Sequence, residues 1–323
     1  MSVWNEHDVI YHYTTLSGLK GILETQTLHA TNFAFLNDSK EIQQIRPRLV
    51  KTTLPVMTRL YEDAAAANKQ AREGMEAQGG IASLAVHDAS VVVDVLYRVT
   101  LGLDGGTKFF QPFIVSFCGH KEPYERQNGL LSQWRAYGKD SGYAFVFDTK
   151  VLADMLKDEK ARCRLDTWSM GDVIYDTGED VFKKEFKGLI DALNHDIPRL
   201  LKNEDGPYTA LNNAFVSNIP RYKHRGFMEE QEVRIVVSPT HDDLFEKAKA
   251  AGEIDTKEKK EIRFRDTRTP YIVLFDKPDS KLPIKRIIVG PHADKESRSE
   301  ELRSYLDSRN LQIEVSCSET PLV

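Results

Sequence analysis

The chain has 323 residues, 41% of them hydrophobic and 29% charged, enough to bury a core in one large domain or two small ones. A net charge of -5 excludes a global positive field that would draw it to nucleic acid or an anionic membrane, so a nucleic-acid substrate would need a local basic patch. The three cysteines, Cys118, Cys163 and Cys317, are far apart and odd in number, which argues against a disulfide framework and fits a reducing cytoplasm. No uncharged apolar run approaches the roughly 20 residues of a membrane span, so neither insertion nor secretion is expected.

The chain opens with a run of β-formers at 9–14, after which Ser17 is expected to cap a helix carrying Leu19, Ile22 and Leu23. A second strand at 28–35 ends at Asn37-Asp38, where Asp38 and Glu41 form a capping-box pattern for a helix bearing Ile42, Ile45 and Leu49. Pro47 and Pro55 should kink or divide that helix. The stretch 62–80 is rich in Ala, Gln and charge and reads as a solvated helix or connection, followed by a helix with Val91, Val92, Val95 and Leu96. Together these make a helical insert near 39–105.

A strand at 112–118 follows, then a polar loop, a helix at 130–138 that Gly138 should stop, and a strand at 142–148. Helices near 149–157, 179–203 and 208–219 read as a second helical insert near 149–225, broken only by a short strand at 173–175. Strands at 232–238, 271–275, 284–289 and 311–316 complete the chain, with a charged helical excursion at 241–261 and a helix near 294–308. The expected class is α+β: a mixed β-sheet core with helical insertions in a single domain over 1–323.

No Gly-x-Gly-x-x-Gly opens a helix and no Walker-type loop is present, which disfavours Rossmann and P-loop nucleotide binding. No His-Glu-x-x-His or Cys/His zinc spacing occurs, so no metal is expected. Three blocks carry polar groups suited to a site. In Tyr11-His12-Tyr13-Thr14-Thr15 the strand period puts His12 and Thr14 on one face, where they can bind one ligand together or be satisfied inside a sheet. In the second block, Ser116 lies on a strand ahead of Gln133-Trp134-Arg135-Ala-Tyr137. Trp134 and Tyr137 make a stacking wall or a piece of core, and Arg135 is a partner for phosphate or carboxylate. In the third, Glu230, Glu232 and Arg234 alternate with Val233 and Ile235 at the start of a strand. Glu229, Glu230 and Glu232 crowd three carboxylates into four positions, so one should have a cationic partner or a perturbed pKa.

In this order, with Gly142-Tyr-Ala-Phe-Val-Phe-Asp148 and Ile288-Val-Gly-Pro291, the blocks resemble a large bacterial family carried as a domain of unknown function. The opening Tyr11-His-Tyr-Thr-Thr15 and Gly18-Leu-Lys-Gly-Ile-Leu23 is similar to DNA-modifying ADP-ribosyltransferase toxins and RNA 2′-phosphotransferases. That resemblance implies an ADP-ribosyltransferase-like core whose three-part signature falls on His12, Ser116 and Glu230-Gln-Glu232. It implies NAD as the substrate, with Glu232 and Glu230 as catalytic carboxylates. His12, Tyr13, Thr14, Ser116, Trp134, Arg135 and Tyr137 would bind NAD. The implied function is transfer of ADP-ribose to a macromolecule, RNA or DNA among the candidates, by a toxin of a phage-defence or toxin–antitoxin system with a cognate antitoxin. About a hundred residues separate the second and third elements, more than a minimal member has.

The alternatives are a non-enzymatic NAD or nucleotide sensor and a 2′-phosphotransferase-like enzyme. Basic clusters at Arg221-Tyr222-Lys223-His224-Arg225 and at 263–268 can hold phosphates, with Tyr222 available to stack; each can equally be a solvated face.

Overall fold

The computed structural model describes residues 2–36, 42–101, 111–137, 142–176, 178–201, 209–241 and 257–321, together with 246 and 250. The expected capping box at Asp38 and Glu41, the helix stop at Gly138 and most of the 241–261 excursion lie outside them. Among the described residues the fold is α+β around a mixed sheet.

A short helix α1 (Val3–Glu6) leads into β1 (Val9–Thr14), α2 (Leu16–Thr25) and β2 (Leu28–Asn32). The cap of α2 is Thr15, whose hydroxyl accepts the Gly18 N–H, and not Ser17, which lies inside the first turn. Helices α3 (Ile42–Ala67), α4 (Lys69–Ala77) and α5 (Gly80–Leu101) come next. Neither Pro47 nor Pro55 divides α3, because the helix is held along its length against α5: Arg46 donates to Asp94 at 2.7 Å, and Tyr61 bonds Asp88. As expected for 62–80, α4 buries no residue.

The sheet continues with β3 (Phe113–Cys118), and after helices α6 (Pro123–Asn128) and α7 (Leu131–Tyr137) with β4 (Tyr143–Asp148). Helix α8 (Thr149–Arg162) is followed by β5 (Leu165–Asp172) and β6 (Ile174–Tyr175). Next come α9 (Glu179–Glu185), α10 (Lys187–Leu201), α11 (Thr209–Asn218), β7 (Tyr222–Lys223) and β8 (Glu232–Pro239). Strands β9 (Arg263–Arg265), β10 (Thr269–Leu274) and β11 (Ile284–Val289), helix α12 (Lys295–Ser308) and β12 (Glu314–Cys317) close the chain.

The main sheet runs β12-β11-β4-β1-β3-β2-β10-β9, with β8 on the other edge of β3 and β5 beyond it. Its pairs are antiparallel except β11 with β12. Strand β5 corrects the reading of 149–225 as a helical insert, since it pairs along β8 from Val233 to Pro239 and contributes Leu165 to the main core. Its own signal is poor: Asp166, Ser169 and Gly171 are weak strand formers and Trp168 faces outward.

The main core lies on the sheet face that carries Ile10, Phe113, Val115, Phe117, Phe145 and Val233. A second cluster joins α3, α5, α10 and α11 to Ile114 and Val236 on the opposite face, so the two expected helical regions pack together as one layer. Within it, Gly80–Arg98 is the one helical stretch among the described residues long and apolar enough, by length and composition, to cross a membrane. It contains Asp88 and Asp94, and Ala85, Ala89 and Val93 on its inner face are fully buried in the cluster.

A buried ion cluster ties α8 to the end of β10. Lys260, 5% exposed, donates to Asp276 at 2.7 Å and to the Val273 carbonyl at 2.8 Å, and pairs with the buried Glu159. Lys260→Ala would leave Glu159 short of a cation in a low-dielectric site, and urea unfolding should show a loss of about 3 kcal/mol. A loss under about 1 kcal/mol would mean that Arg162 alone neutralises the cluster.

Candidate functional site

One edge of β3 is shared by two strands. Near its start it pairs with β2, through Thr31–Ile114 and Asn32–Phe113, and near its end with β1, through Tyr11–Cys118 alone. Between these contacts β1 and β2 diverge, and the backbone of Val115 to Phe117 faces a gap. A cavity of about 690 Å³ fills this fork, walled by β1, α2, β2 and β3 and reaching Gln133, Tyr137, Lys223, Glu230 and Glu232. At the junction of β1 and α2 the first turn of the helix comes so close to Thr14 that a Cβ on Gly18 would clash with its hydroxyl.

His12 bridges the fork. Its Nδ1 lies 2.9 Å from the Ser116 carbonyl oxygen, which only accepts, so Nδ1 carries the proton and Nε2 is left as an acceptor. Burial lowers the imidazole pKa, against the raising effect of that hydrogen bond, so the ring is neutral at pH 7. Ser116 sits opposite Arg234 in the β3–β8 register, two positions along from the Cys118–Glu232 pair and on the same face.

Glu232 opens β8, anchored by the fully buried Val233, Ile235 and Val237. Arg234 grips its carboxylate with both forks, Nε to Oε1 at 2.6 Å and Nη2 to Oε2 at 3.0 Å. Lys223 Nζ donates to Glu232 Oε2 at 3.1 Å and to Glu230 Oε2 at 2.8 Å, and the Phe227 ring lies 4.8 Å from the same ammonium. Burial acts to raise the Glu232 pKa, but the charges of Arg234 and Lys223, with hydrogen bonds from Arg234 and Ser116, outweigh it and hold the carboxyl at about 2. The crowded carboxylates thus have the cationic partners that their repulsion demands.

The turn before β8 is fixed by Gln231, whose backbone is left-handed at φ 45°. Its carbonyl accepts from Gly119 N at 2.7 Å, its side-chain oxygen from Lys121 N at 3.1 Å, and its side-chain amide donates to Glu125 at 3.3 Å. The Tyr175 hydroxyl accepts the Glu232 N–H at 2.8 Å, and β6 and β7 pair Tyr175 with Lys223. Glu230 and Glu232 are thereby aimed at one ammonium.

Of the residues singled out from sequence, His12, Thr14, Ser116, Tyr137, Glu230 and Glu232 line the cavity. Tyr137 is 48% exposed at its rim. Tyr13 borders the cavity along its strand, but its ring stacks edge-on to Trp134 at 4.7 Å and its hydroxyl bonds His120 at 2.6 Å and the Leu130 N–H at 2.7 Å. Trp134 is buried in a third apolar cluster with Tyr11, Tyr13 and Val146 and donates to the Asn128 carbonyl, so it is core and not a stacking wall. Arg135, the next residue round the helix, is exposed and lies outside the cavity lining.

The cluster 221–225 is not a phosphate patch. Arg221 donates twice to the Asp172 carbonyl, Tyr222 is buried with its hydroxyl on Asp176, and Lys223 is the buried cation of the site. Lys223 and Gln133 are the site residues that sequence reasoning missed. The signal for Lys223 was the need for a cation near three crowded carboxylates; Gln133 gave none. Burial and then the charges of Glu232 and Glu230 push the Cys118 thiol well above its usual range, which disfavours its thiolate. Among the described residues one group, Glu6, His7 and Asp172, has metal-ligand spacing, but His7 Nε2 is already 2.7 Å from Asp172 Oδ1.

An unfolded glutamate titrates near 4.5 and folded Glu232 near 2, so its stabilising contribution is complete above about pH 4.5 and is lost as pH falls toward 2. The loss amounts to about 3 kcal/mol. Lys223→Met removes one of the cations that hold the carboxyl down, so the folded pKa moves back toward 4.5 and, in urea unfolding across this range, the acid-induced loss should be smaller than in the wild type. Superimposable profiles would contradict the role given to Lys223.

Residues 133–235 match a family model described as a protein of unknown function, DUF2971. The matched span takes in Gln133, Lys223, Glu230, Glu232 and Arg234; His12 and Ser116 lie outside it. No curated protein and no solved structure matches the chain. The chain therefore carries, over 133–235, a domain whose family has no assigned activity.

Proposed function

We propose that the fork cavity binds NAD and that the protein transfers ADP-ribose from it to an acceptor. The observation that carries this reading is the convergence of His12, Ser116 and Glu232, from three different strands, on one cavity. His12 Nε2 is an acceptor for a ribose hydroxyl of the adenosine side. Ser116 and Glu232 face the nicotinamide ribose, with Glu232 as acceptor for its 2′-hydroxyl. The C1′–N bond breaks with its electron pair going to the nicotinamide nitrogen, which leaves neutral, and the carboxylate stabilises the oxocarbenium-like centre. An acceptor oxygen or nitrogen then bonds C1′ and gives its proton to Glu230.

A non-enzymatic NAD sensor is favoured by a different observation. Both oxygens of Glu232 are held by Arg234 and Lys223, which offset the negative charge that an oxocarbenium centre needs. Turnover therefore requires Lys223 to shift its weight to Glu230 when NAD binds. The two readings part at nicotinamide release.

Glu232→Gln keeps the size and reach of the side chain without its charge. Nicotinamide release should fall by two or more orders of magnitude, roughly 3 kcal/mol, while NAD affinity changes far less. Glu230→Gln should suppress labelling of the acceptor and leave some NAD hydrolysis. Nicotinamide release and labelling, measured side by side on variants whose unfolding is cooperative, check this. Full activity in Glu232→Gln would overturn the mechanism, and NAD binding without release in the wild type would establish the sensor.

A further inference from the structure

Beyond the fork, β2, β10 and β9 form a wing whose two faces differ in kind. Leu28, Ala30, Ile272 and Leu274 point into the main core. The pairings Tyr271–Thr31, Thr269–Arg265 and Tyr271–Arg263 put the alternate side chains on the opposite face. There the exposed His29 ring and the half-buried Tyr271 ring stack at 4.4 Å, 30° from parallel, and the Arg265 guanidinium lies 5.5 Å from the Tyr271 ring. Arg263 and Arg265 are exposed, on the strand that ends the sheet.

This face is continuous with the cavity, because His29, Thr31, Arg265 and Thr269 also line it. The turn from β9 to β10, with Asp266 and Thr267 both at positive φ, adds exposed Arg268. Three arginines stand against one aspartate within 263–268, in a chain of net charge -5. The local field is thus opposite in sign to that of the whole protein. Burial first, and then the charges of Arg265 and Arg263, lower the His29 pKa, so the stack is a neutral aromatic surface beside fixed cations.

From this juxtaposition we infer that the open face of the β2–β10–β9 wing is a docking platform for single-stranded nucleic acid. Arg263, Arg265 and Arg268 take backbone phosphates, and the His29–Tyr271 stack takes the face of a base. Fixed guanidiniums spaced along one strand fit a repeating phosphate chain better than the two phosphates of a dinucleotide, and an exposed ring face needs an unpaired base. A strand held there lies beside the mouth of the fork. The inference rests on the proposed function only in making that strand the acceptor; the binding itself is independent of it.

The test is fluorescence anisotropy with labelled oligouridylate and oligothymidylate of about 16 nucleotides, and the corresponding duplexes, at increasing salt in the absence of NAD. The wild type should bind single strands more tightly than duplexes. In the Arg263→Ala/Arg265→Ala double variant, affinity should fall at least tenfold, and the slope of log K against log salt should drop by about 1.4, some 0.7 for each lost phosphate contact. Tyr271→Leu should lose at least fivefold in affinity with the slope unchanged, since it removes the ring and no charge. The exposed arginine changes should leave the melting temperature unaltered, and Glu232→Gln should bind like the wild type. Absence of binding by the wild type, duplex bound as well as single strand, or arginine variants with wild-type affinity and slope would each overturn the inference. Binding that persists where NAD is neither bound nor cleaved would defeat the proposed reaction and leave the platform standing.

Discussion

A strand has two edges, and β3 uses one of them twice. Its pairing with β8 is continuous from Phe113 to Cys118, while the opposite edge is divided between β2 at one end and β1 at the other. The middle of that edge faces a gap, and buried backbone groups in a gap need partners. His12 supplies one by bonding the Ser116 carbonyl, so the same side chain closes the sheet and presents its second nitrogen to the cavity. A sheet that forks in this way makes a concave, polar-walled cleft out of its own interior, and what grips a ligand there stands on rigid strands.

The cost of the arrangement is carried by a quartet of charges, three of them buried and the fourth, Glu230, half-buried. Glu230 and Glu232 are balanced by Lys223 and Arg234, two anions against two cations. Each partner satisfies the desolvation penalty of the others, and removing one leaves a charge stranded. Such a quartet is also poised. A bound cation near Glu232, or a bound anion near Lys223, competes with bonds that already exist, so ligand binding and the internal electrostatics are linked. The choice between an enzyme and a sensor turns on this competition, because a carboxylate fully spent on Arg234 and Lys223 has little field left for a developing cation.

Much of this was legible in the residues, and the exceptions have physical causes. Alternation placed Glu232 and Arg234 on one face of β8 and His12 with Thr14 on one face of β1, and both hold. Alternation within a strand says nothing about which strands meet, so the division of β3 between β1 and β2 was hidden. β5 was hidden because Asp166, Ser169 and Gly171 carry little strand propensity and its pairing with β8 decides its conformation. Trp134 and Tyr137, three apart on a helix, have the spacing of a shared wall, but the helix buries one against Tyr13 and leaves the other at the rim. Lys223 lay in a run of bases that reads as a solvated patch, and only tertiary structure reveals it as an internal counter-ion.

The proposed reaction stands or falls on whether NAD binds in the fork between β1 and β2. The most direct measurement is the crystal structure of the wild-type protein with a non-hydrolysable NAD analogue. The ligand is expected in the fork, with one ribose hydroxyl on His12 Nε2 and the nicotinamide ribose in hydrogen-bonding reach of Ser116 and Glu232. An analogue bound elsewhere on the molecule, or a fork that stays empty at saturating analogue, would contradict it.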